Sequence, residues 1–316
     1  MRTPAHNKKM RLEDQAFGYL MLWPAAIFVL VVAVYPVLRI LWLSFFTQNL
    51  GTGLHPQFSG TLNYVRLLKD GHYWQTMMTT TVFTFIAVST ELLLGLWFAL
   101  LLNEKFHGRS FARTATLIPW ALPTAVLALA WAWIFNDQSG VFNDLMMRLG
   151  LLSRPVAWLG SGPTAMFSVI FADVWKTTPF MMIILLAGLQ NIPEDLYEAV
   201  QIDGARAWNS FRLITLPMLM PSIMLALLFR TIQSFGIFDL IFVMTGGGPG
   251  GATETVAIYN YRTFLRYLDF GYGAAMIVVT FLITSGICLL IYWPLSRTRG
   301  ARALATERAV EKSEAM

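Results

Sequence analysis

Six predominantly apolar runs, each about 20 residues long or longer, constrain this chain before any motif is considered. That length matches the roughly 20 residues that an α-helix needs to cross the hydrocarbon core of a bilayer. Only 13% of the 316 residues are charged and the mean hydropathy is +0.57, whereas soluble domains carry about 25% charged residues. Because backbone polar groups in lipid must be satisfied within the segment, such runs fold as helices. The sequence therefore predicts an all-α integral membrane protein.

The apolar runs predict one membrane domain over residues 1–316. The six spans are expected at about 20–45, 76–102, 114–135, 164–189, 213–244 and 273–295. A basic stretch precedes the first run without a small-residue cleavage site after it, which favours a retained helix over a signal peptide. A loop at 190–212 connects the fourth and fifth spans, and a charged, alanine-rich tail covers 296–316.

Lysine and arginine residues are distributed unevenly between the segments that flank the spans. The two termini and the loops at 102–113 and 190–212 together hold 14 of them, and the opposite loops hold 6. Cytoplasmic segments of membrane proteins carry the excess of positive charge. This distribution and the even number of spans predict that both termini and the 190–212 loop lie in the cytoplasm.

Several chemistries have no support in the residues. No G-x-x-x-x-G-K-[ST] motif occurs, so the chain is not expected to bind ATP or its Mg²⁺ itself. Glycines 246, 248 and 251 have the G-x-G-x-x-G spacing, but no βαβ unit surrounds them and a proline interrupts them. The four histidines and the single cysteine, Cys288, are dispersed, which predicts neither a metal site nor a disulfide. No catalytic group can be assembled, so we expect no cofactor and no enzymatic activity in this chain.

The 190–212 loop carries the signals of a helix start between two spans. Asn191 can cap a helix, Pro193 fits its first turn, and the two acidic residues that follow favour the positive end of the helix dipole. Gly204 can adopt the positive φ that ends a helix and turns the chain. A short helix from Pro193 to about Ile202 is predicted.

The segment that contains this helix resembles the EAA loop of importer permeases in the ABC transporter superfamily. The pattern is Glu-Ala-Ala, three residues, Gly, nine residues, Ile, one residue and Leu-Pro. The matching residues are Glu198, Ala199, Gly204, Ile214, Leu216 and Pro217. Val200 replaces the second alanine, which is a small change of volume. The turn Thr245–Pro249 resembles the maltose-type, carbohydrate-uptake permeases in particular.

The resemblance implies the type I importer permease fold, with six transmembrane helices and a cytoplasmic coupling helix. It implies that this helix binds a cleft of an ATPase subunit and transmits nucleotide-driven closure to the spans. Glu198 would bond to the ATPase, Ala199 would allow close approach, and Gly204 would supply the bend. The residues implied in coupling are Glu198, Ala199, Asp203, Gly204, Leu216 and Pro217.

The resemblance also implies the partners and the location of the protein. Six spans form half a pathway, so a second, homologous permease chain is expected, with a heterodimer favoured. Two cytoplasmic ATPase subunits, which hold ATP and Mg²⁺, and an extracytoplasmic solute-binding protein would complete the importer. Its place is the plasma (inner) membrane of a bacterium or archaeon. Three external loops are candidates for docking the binding protein: 47–74, 136–163 and 246–272.

Polar residues recur at helical spacing in the fourth and fifth predicted spans. Charges inside the membrane cost about 2.5–3.5 kcal/mol at the helix centre on insertion scales and usually face a cavity or each other. Each set places its members on one helical face by the spacing i, i+3, i+4 and i+7. The two sets are Asp173, Lys176, Thr177 and Phe180, and Arg230, Gln233, Ser234 and Ile237. Two such stripes on consecutive spans predict a water-filled path.

Similarity to the maltose-type permeases implies that these eight positions line a sugar site. Asp173 and Gln233 can bond sugar hydroxyls, and Phe180 offers an aromatic face. The spacing equally permits an Asp173–Lys176 pair that only neutralises itself. Glu91, in the second span, is expected to be a buried structural acid, and Asp239 is expected near the external interface.

The predicted function is the permease subunit of an ATP-driven, binding-protein-dependent importer for a di- or oligosaccharide or a polyol glycoside. The alternative is a secondary sugar transporter driven by an ion gradient, in which Asp173, Lys176 and Arg230 would be coupling groups. A membrane enzyme is a third possibility without positive support. The sequence names neither the sugar nor the identity of the second permease.

Overall fold

The computed structural model describes residue 17 and residues 19–53, 55–202 and 206–314; side chains are described throughout except at 52, 201 and 294–314. The helices are α1 (Tyr19–Leu43), α2 (Leu62–Lys69), α3 (Gly71–Asn103), α4 (Arg109–Ala121), α5 (Thr124–Ile134), α6 (Val141–Arg148), α7 (Gly162–Gln190), α8 (Glu194–Ile202), α9 (Ala207–Phe235), α10 (Asp239–Met244), α11 (Val256–Tyr261) and α12 (Phe270–Glu314). Two short strands, β1 (Phe46–Thr47) and β2 (Gln57–Phe58), form an antiparallel hairpin in which Phe46 lies opposite Phe58.

Five helices are long and apolar enough to cross a membrane, and the bent pair formed by α4 and α5 makes a sixth candidate. The five are α1, α3, α7, α9 and residues 270–293 of α12. Three turns of π-helix interrupt or extend these elements, at Leu30–Val34 in α1, at Phe211–Thr215 in α9 and at Arg262–Arg266 after α11. Because these helices are long and apolar enough to cross a membrane, the chain is a multi-pass membrane protein.

The third predicted span, 114–135, is not one straight helix. α4 ends at Ala121, α5 begins at Thr124, and their axes meet at 90°. Leu122 is extended, with φ −74° and ψ 140°. The cause is Pro123, because a proline disfavours the helical conformation for the residue before it.

The fifth predicted span, 213–244, is also divided. Its helix begins at Ala207 and ends at Phe235, and the separate helix α10 begins at Asp239. Gly236 lies at the break. Glycine is less stable than alanine inside a helix because it loses more conformational entropy there, so this residue favours the end of the helix. The carboxylate of Asp239 lies in the first turn of α10, where the helix dipole favours a negative charge.

The described residues group into two compact units, which we treat separately. In the first, which contains residues up to 70 and residues 260–279, Arg66 donates to Asp269 at 2.8 Å and its guanidinium lies 3.9 Å from the ring centroid of Tyr272. A side chain at Gly271 would collide with the carbonyl oxygen of Phe46. These contacts hold the β-hairpin against the start of α12. The predicted single domain over 1–316 stays a prediction.

The second unit contains residues 71–259 and the chain from 280 onward, with α3, α7 and α9 packed closely together. One buried apolar cluster includes Phe83, Val169 and Leu240. Another includes Met182, Leu185 and Leu219. Glycine allows the close approach of the helices, since a Cβ at Gly95 would lie 2.7 Å from the Cβ of Met181.

Gly188 is the corresponding contact between α7 and α9, and its substitution tests this packing. A Cβ there would collide with Ser222 and would lie 2.7 Å from Cδ1 of Leu219. We expect Gly188→Ala to destabilise the protein by about 1–3 kcal/mol, as overpacking of a close-packed core does. The midpoint of thermal unfolding of the purified chain in detergent measures this. Gly286→Ala in α12 is the control, because a Cβ at Gly286 meets no atom within 4 Å; equal midpoints for both variants would contradict the packing.

Candidate functional site

A buried ionic network joins α3, α7 and α9. The guanidinium of Arg230 donates from Nε to Oε2 of Glu91 at 2.5 Å and from Nη2 to Oε1 of Glu91 at 2.7 Å. The same Nη2 donates to Oδ2 of Asp173 at 2.9 Å. All three side chains are buried. One cation therefore holds two carboxylates from two other helices, and the predicted structural role of Glu91 agrees with this geometry.

Neutral side chains complete the hydrogen bonding of the network. The hydroxyl of Thr177 donates to Oε1 of Glu91 at 2.7 Å, and Nη1 of Arg230 donates to Oε1 of Gln233 at 3.2 Å. Buried charges are tolerated when partners of this kind satisfy their remaining lone pairs and protons. The Asp173–Lys176 pair that the spacing permits is not formed among the described residues, because Asp173 is bonded to Arg230 instead.

Lys176 has a different partner, the broken end of α4. Its ammonium donates to the carbonyl oxygens of Trp120 and Leu122 at 3.4 and 3.2 Å. The last carbonyls of a helix lack partners within that helix, and a positive charge is favourable at this end of the dipole. Lys176 thus stabilises the 90° bend before Pro123 as well as contributing a cation to this region.

A cavity of about 290 Å³ opens beside the network and the two helix breaks. Its lining residues are Trp120, Thr124, Asp173, Lys176, Thr177, Arg230, Gln233, Gly236, Ile237, Phe238, Asp239 and Leu240. Six of the eight predicted pathway residues are among them. The other two are placed differently: Ser234 is buried, and Phe180 stacks on Trp120 with ring centroids 5.9 Å apart. Their roles in transport stay predictions.

The spacing of polar residues in the sequence did not predict the residues that the helix breaks bring to this cavity. Trp120 and Thr124 flank the break between α4 and α5, and Asp239 follows the break between α9 and α10. Asp239 lines the cavity, and its expected place near the external interface stays a prediction. The available signals were Pro123 and Gly236, because broken helices in transporters end where they line a site.

The predicted coupling helix corresponds to α8, Glu194–Ile202. Glu198 and Ala199 are exposed, as a docking surface requires, whereas Leu216 is half-buried at the start of the regular part of α9. Pro217 follows it and is exposed. Asp203 and Gly204 lie outside the described residues. The role of these six residues in coupling stays a prediction.

Apolar helices of membrane-spanning length, helix breaks around a polar cavity and a short exposed helix between two spans define a polytopic membrane permease. Residues 91–296 match the family described as the binding-protein-dependent transport system inner membrane component. The chain belongs to that family. The predicted fold class and the predicted permease role in a binding-protein-dependent ABC importer are thereby confirmed, and the family is one of transport components and not of enzymes.

Two relatives match the chain over nearly its whole length. The trehalose/maltose transport system permease protein MalF of Thermococcus litoralis is 42% identical, over 93% of this chain and 98% of its own length. The sulfoquinovosyl glycerol transport system permease protein SmoG of Agrobacterium fabrum is 40% identical, over 94% of this chain and 96% of its own. A crystallised bacterial ABC transporter that imports the acidic polysaccharide alginate matches with a TM-score of 0.78 and 21% identity, over 92% of this chain and 99% of that chain, which shows the shared fold.

Arg230→Met tests the ionic network. The variant leaves Glu91 and Asp173 buried without a cation, which costs about 3–5 kcal/mol for a buried pair broken on one side. We expect a lower midpoint of thermal unfolding and less protein in the membrane fraction. Arg148→Met is the matched control, since Arg148 pairs with Asp144 on an exposed helix surface, where a pair contributes about 0–1 kcal/mol. An Arg230→Met protein as stable as the control would contradict a stabilising network.

Proposed function

We propose that this chain forms half of the translocation pathway of an ATP-driven importer for a di- or oligosaccharide or a polyol glycoside. The observation that carries the proposal is the polar cavity at the two helix breaks, in a chain of this permease family. The two relatives described above transport trehalose or maltose in one case and sulfoquinovosyl glycerol in the other, by their names. All of these are glycosides rich in hydroxyl groups.

The chemistry of the cavity suits such a solute. Asp173 and Asp239 offer acceptors, and Lys176 and Gln233 offer donors. Trp120 is 49% exposed and lines the same cavity, so its ring can lie against the apolar face of a sugar. A volume of about 290 Å³ is at the lower limit of typical ligand pockets. A second, homologous permease chain would supply the facing wall.

The exposed face of α8 is the proposed contact with one of the two cytoplasmic ATPase subunits, which bind ATP and Mg²⁺. Glu198 and Ala199 lie on that face. By their place in the EAA pattern, Asp203 and Gly204 belong to the segment after α8, and Leu216 and Pro217 lie within α9. An extracytoplasmic solute-binding protein would deliver the sugar. The distribution of Lys and Arg supports an inner-membrane protein with both termini in the cytoplasm.

The geometry at α4 argues against ion-gradient coupling. In secondary transporters, the carbonyl end of a broken helix often coordinates the driving cation. Here the ammonium of Lys176 is bonded to the carbonyls of Trp120 and Leu122 at that end. The amino group of Lys176 therefore occupies the position that a transported cation would need.

Co-purification from the native membrane tests the proposed assembly. With a tagged wild-type chain in mild detergent, we expect mass spectrometry to identify an ATPase subunit and a second six-span chain. Glu198→Ala should lose most of the ATPase, by about tenfold or more. Asp195→Ala is the control, because Asp195 is an exposed acid of the same helix outside the EAA pattern. A wild-type chain that purifies alone would contradict the proposal.

Uptake of labelled trehalose, maltose and sulfoquinovosyl glycerol into proteoliposomes of the assembled importer tests the substrate class. We expect one of these probes to be accumulated when ATP is supplied. Trp120→Ala should lower its maximal uptake rate about tenfold, a change of about 1.4 kcal/mol. Trp133→Ala is the control, since Trp133 is exposed on α5 and does not line the cavity. Equal rates for both variants would exclude a role for Trp120 in sugar passage.

A further inference from the structure

The attachment of α8 to the rest of its unit is narrow. Among the side chains of α8 that the structure describes, Tyr197 and Val200 are half-buried and the others are exposed. These two, one helical turn apart, pack against a buried cluster that includes Leu189, Ile192 and Ile214. Any movement of α8 therefore reaches the spans mainly through Tyr197, Val200 and the chain connections.

Tyr197 also makes a directional bond to α9. Its hydroxyl lies 3.0 Å from the hydroxyl of Thr215. Thr215 is only 4% exposed, so the bond is anchored in the packed interior on one side. A hydrogen bond depends on both distance and angle, so it adds a directional constraint to the apolar contacts of Tyr197.

The second polar contact of α8 is weaker by comparison. Lys105 donates to Glu194 at 3.0 Å, but their side chains are 82% and 76% exposed. Exposed pairs of this kind contribute about 0–1 kcal/mol and are screened by salt. The Tyr197–Thr215 bond is therefore the better defined of the two links.

The position of Thr215 in α9 gives the bond its significance. Thr215 is the last residue of the π-helical turn Phe211–Thr215, and the regular helix begins at Leu216. The covalent route from α8 passes through 203–205, the first turn of α9 and this π turn. Irregular turns of this type are common at functional sites. The hydroxyl bond bypasses that route and contacts α9 at the base of its regular part.

From there the regular helix leads directly to the cavity. Arg230 and Gln233 follow Thr215 by 15 and 18 residues, which corresponds to about 22 and 27 Å at 1.5 Å per residue. Both side chains line the cavity, and Arg230 also holds Glu91 and Asp173. The same helix thus has the α8 contact at one end and the cavity at the other.

We propose that Tyr197 and Thr215 are a pair of positioning residues that transmit the nucleotide-driven displacement of α8 to α9 and so to the cavity. The inference rests on the proposed function, because the ATPase subunits supply that displacement. The hydrogen bond couples the position of α9 directly to that of α8, in addition to the covalent connection through 203–205. Without it, the ATPase would still bind α8 and hydrolyse ATP, but the cavity would respond less.

A cysteine reporter in the cavity tests this without knowledge of the sugar. In a Cys288→Ser background, Thr124→Cys places a thiol on the cavity wall. Inside-out membrane vesicles that contain the whole importer expose the cytoplasmic side to a membrane-impermeant maleimide. The labelling rate of Thr124→Cys is then measured with and without ATP, Mg²⁺ and vanadate, and the ATPase rate is measured in the same vesicles.

For the reporter protein alone, we expect vanadate trapping to change the labelling rate at least fivefold. Tyr197→Phe and Thr215→Val should reduce that change to less than twofold while ATP hydrolysis persists. Thr215→Ser restores the hydroxyl and should behave like the reporter protein, which a loss of packing would not predict. Thr114→Val is the matched control, because Thr114 is exposed and, within the described part of the chain, its hydroxyl bonds to the carbonyl of Ser110 in the same helix α4.

The outcomes separate this inference from the proposed function. A full fivefold change in Tyr197→Phe and Thr215→Val would overturn the transmission role and leave the proposed function intact. Loss of the ATPase subunit from both variants would also overturn it, because the pair would then support docking. If the reporter protein alone shows no response to trapped nucleotide, the proposed function itself is wrong.

Discussion

The guanidinium of Arg230 is the group on which the membrane interior of this protein depends. Two carboxylates, Glu91 and Asp173, lie within hydrogen-bond distance of it and come from two other helices. An unpaired charge inside a membrane is costly, so these ion pairs constrain how α3, α7 and α9 pack against one another. The bond from Thr177 to Glu91 adds a neutral donor to the same constraint. Asp173, Thr177 and Arg230 of this network also form part of the cavity wall.

Two helix breaks determine what the cavity presents to a solute. At Pro123 the carbonyl end of α4 turns toward Lys176, and at Gly236 the chain leaves α9 so that Asp239 begins a new helix beside the cavity. Backbone groups freed by such breaks need partners at membrane depth. A lysine ammonium provides them here, so the same side chain stabilises the bend and contributes charge to the cavity. Support and solute contact are therefore compatible roles for Lys176.

The helix α9 connects α8 to the cavity. Near its start, Thr215 is bonded to Tyr197 of the exposed helix α8. Near its end, Arg230 and Gln233 line the cavity. Gly188 allows α9 to pack closely against α7. Because protein interiors are close-packed, the two helices move together and do not slide freely. The proposed displacement of α8 would therefore reach the cavity through a single helix.

The sequence by itself determined the class, the family and the placement of α8, since span length, charge distribution and the EAA spacing are local properties of the chain. Helical spacing also brought six of the eight predicted pathway residues beside the cavity, while their role in transport stays a prediction. Only the tertiary structure decided which charged side chains form ion pairs. Asp173 could pair within its helix with Lys176 or across helices with Arg230, and helix packing selected Arg230. The breaks that bring Trp120 and Asp239 to the cavity were equally hidden, because a proline or glycine indicates where a helix can end and not what its end will face.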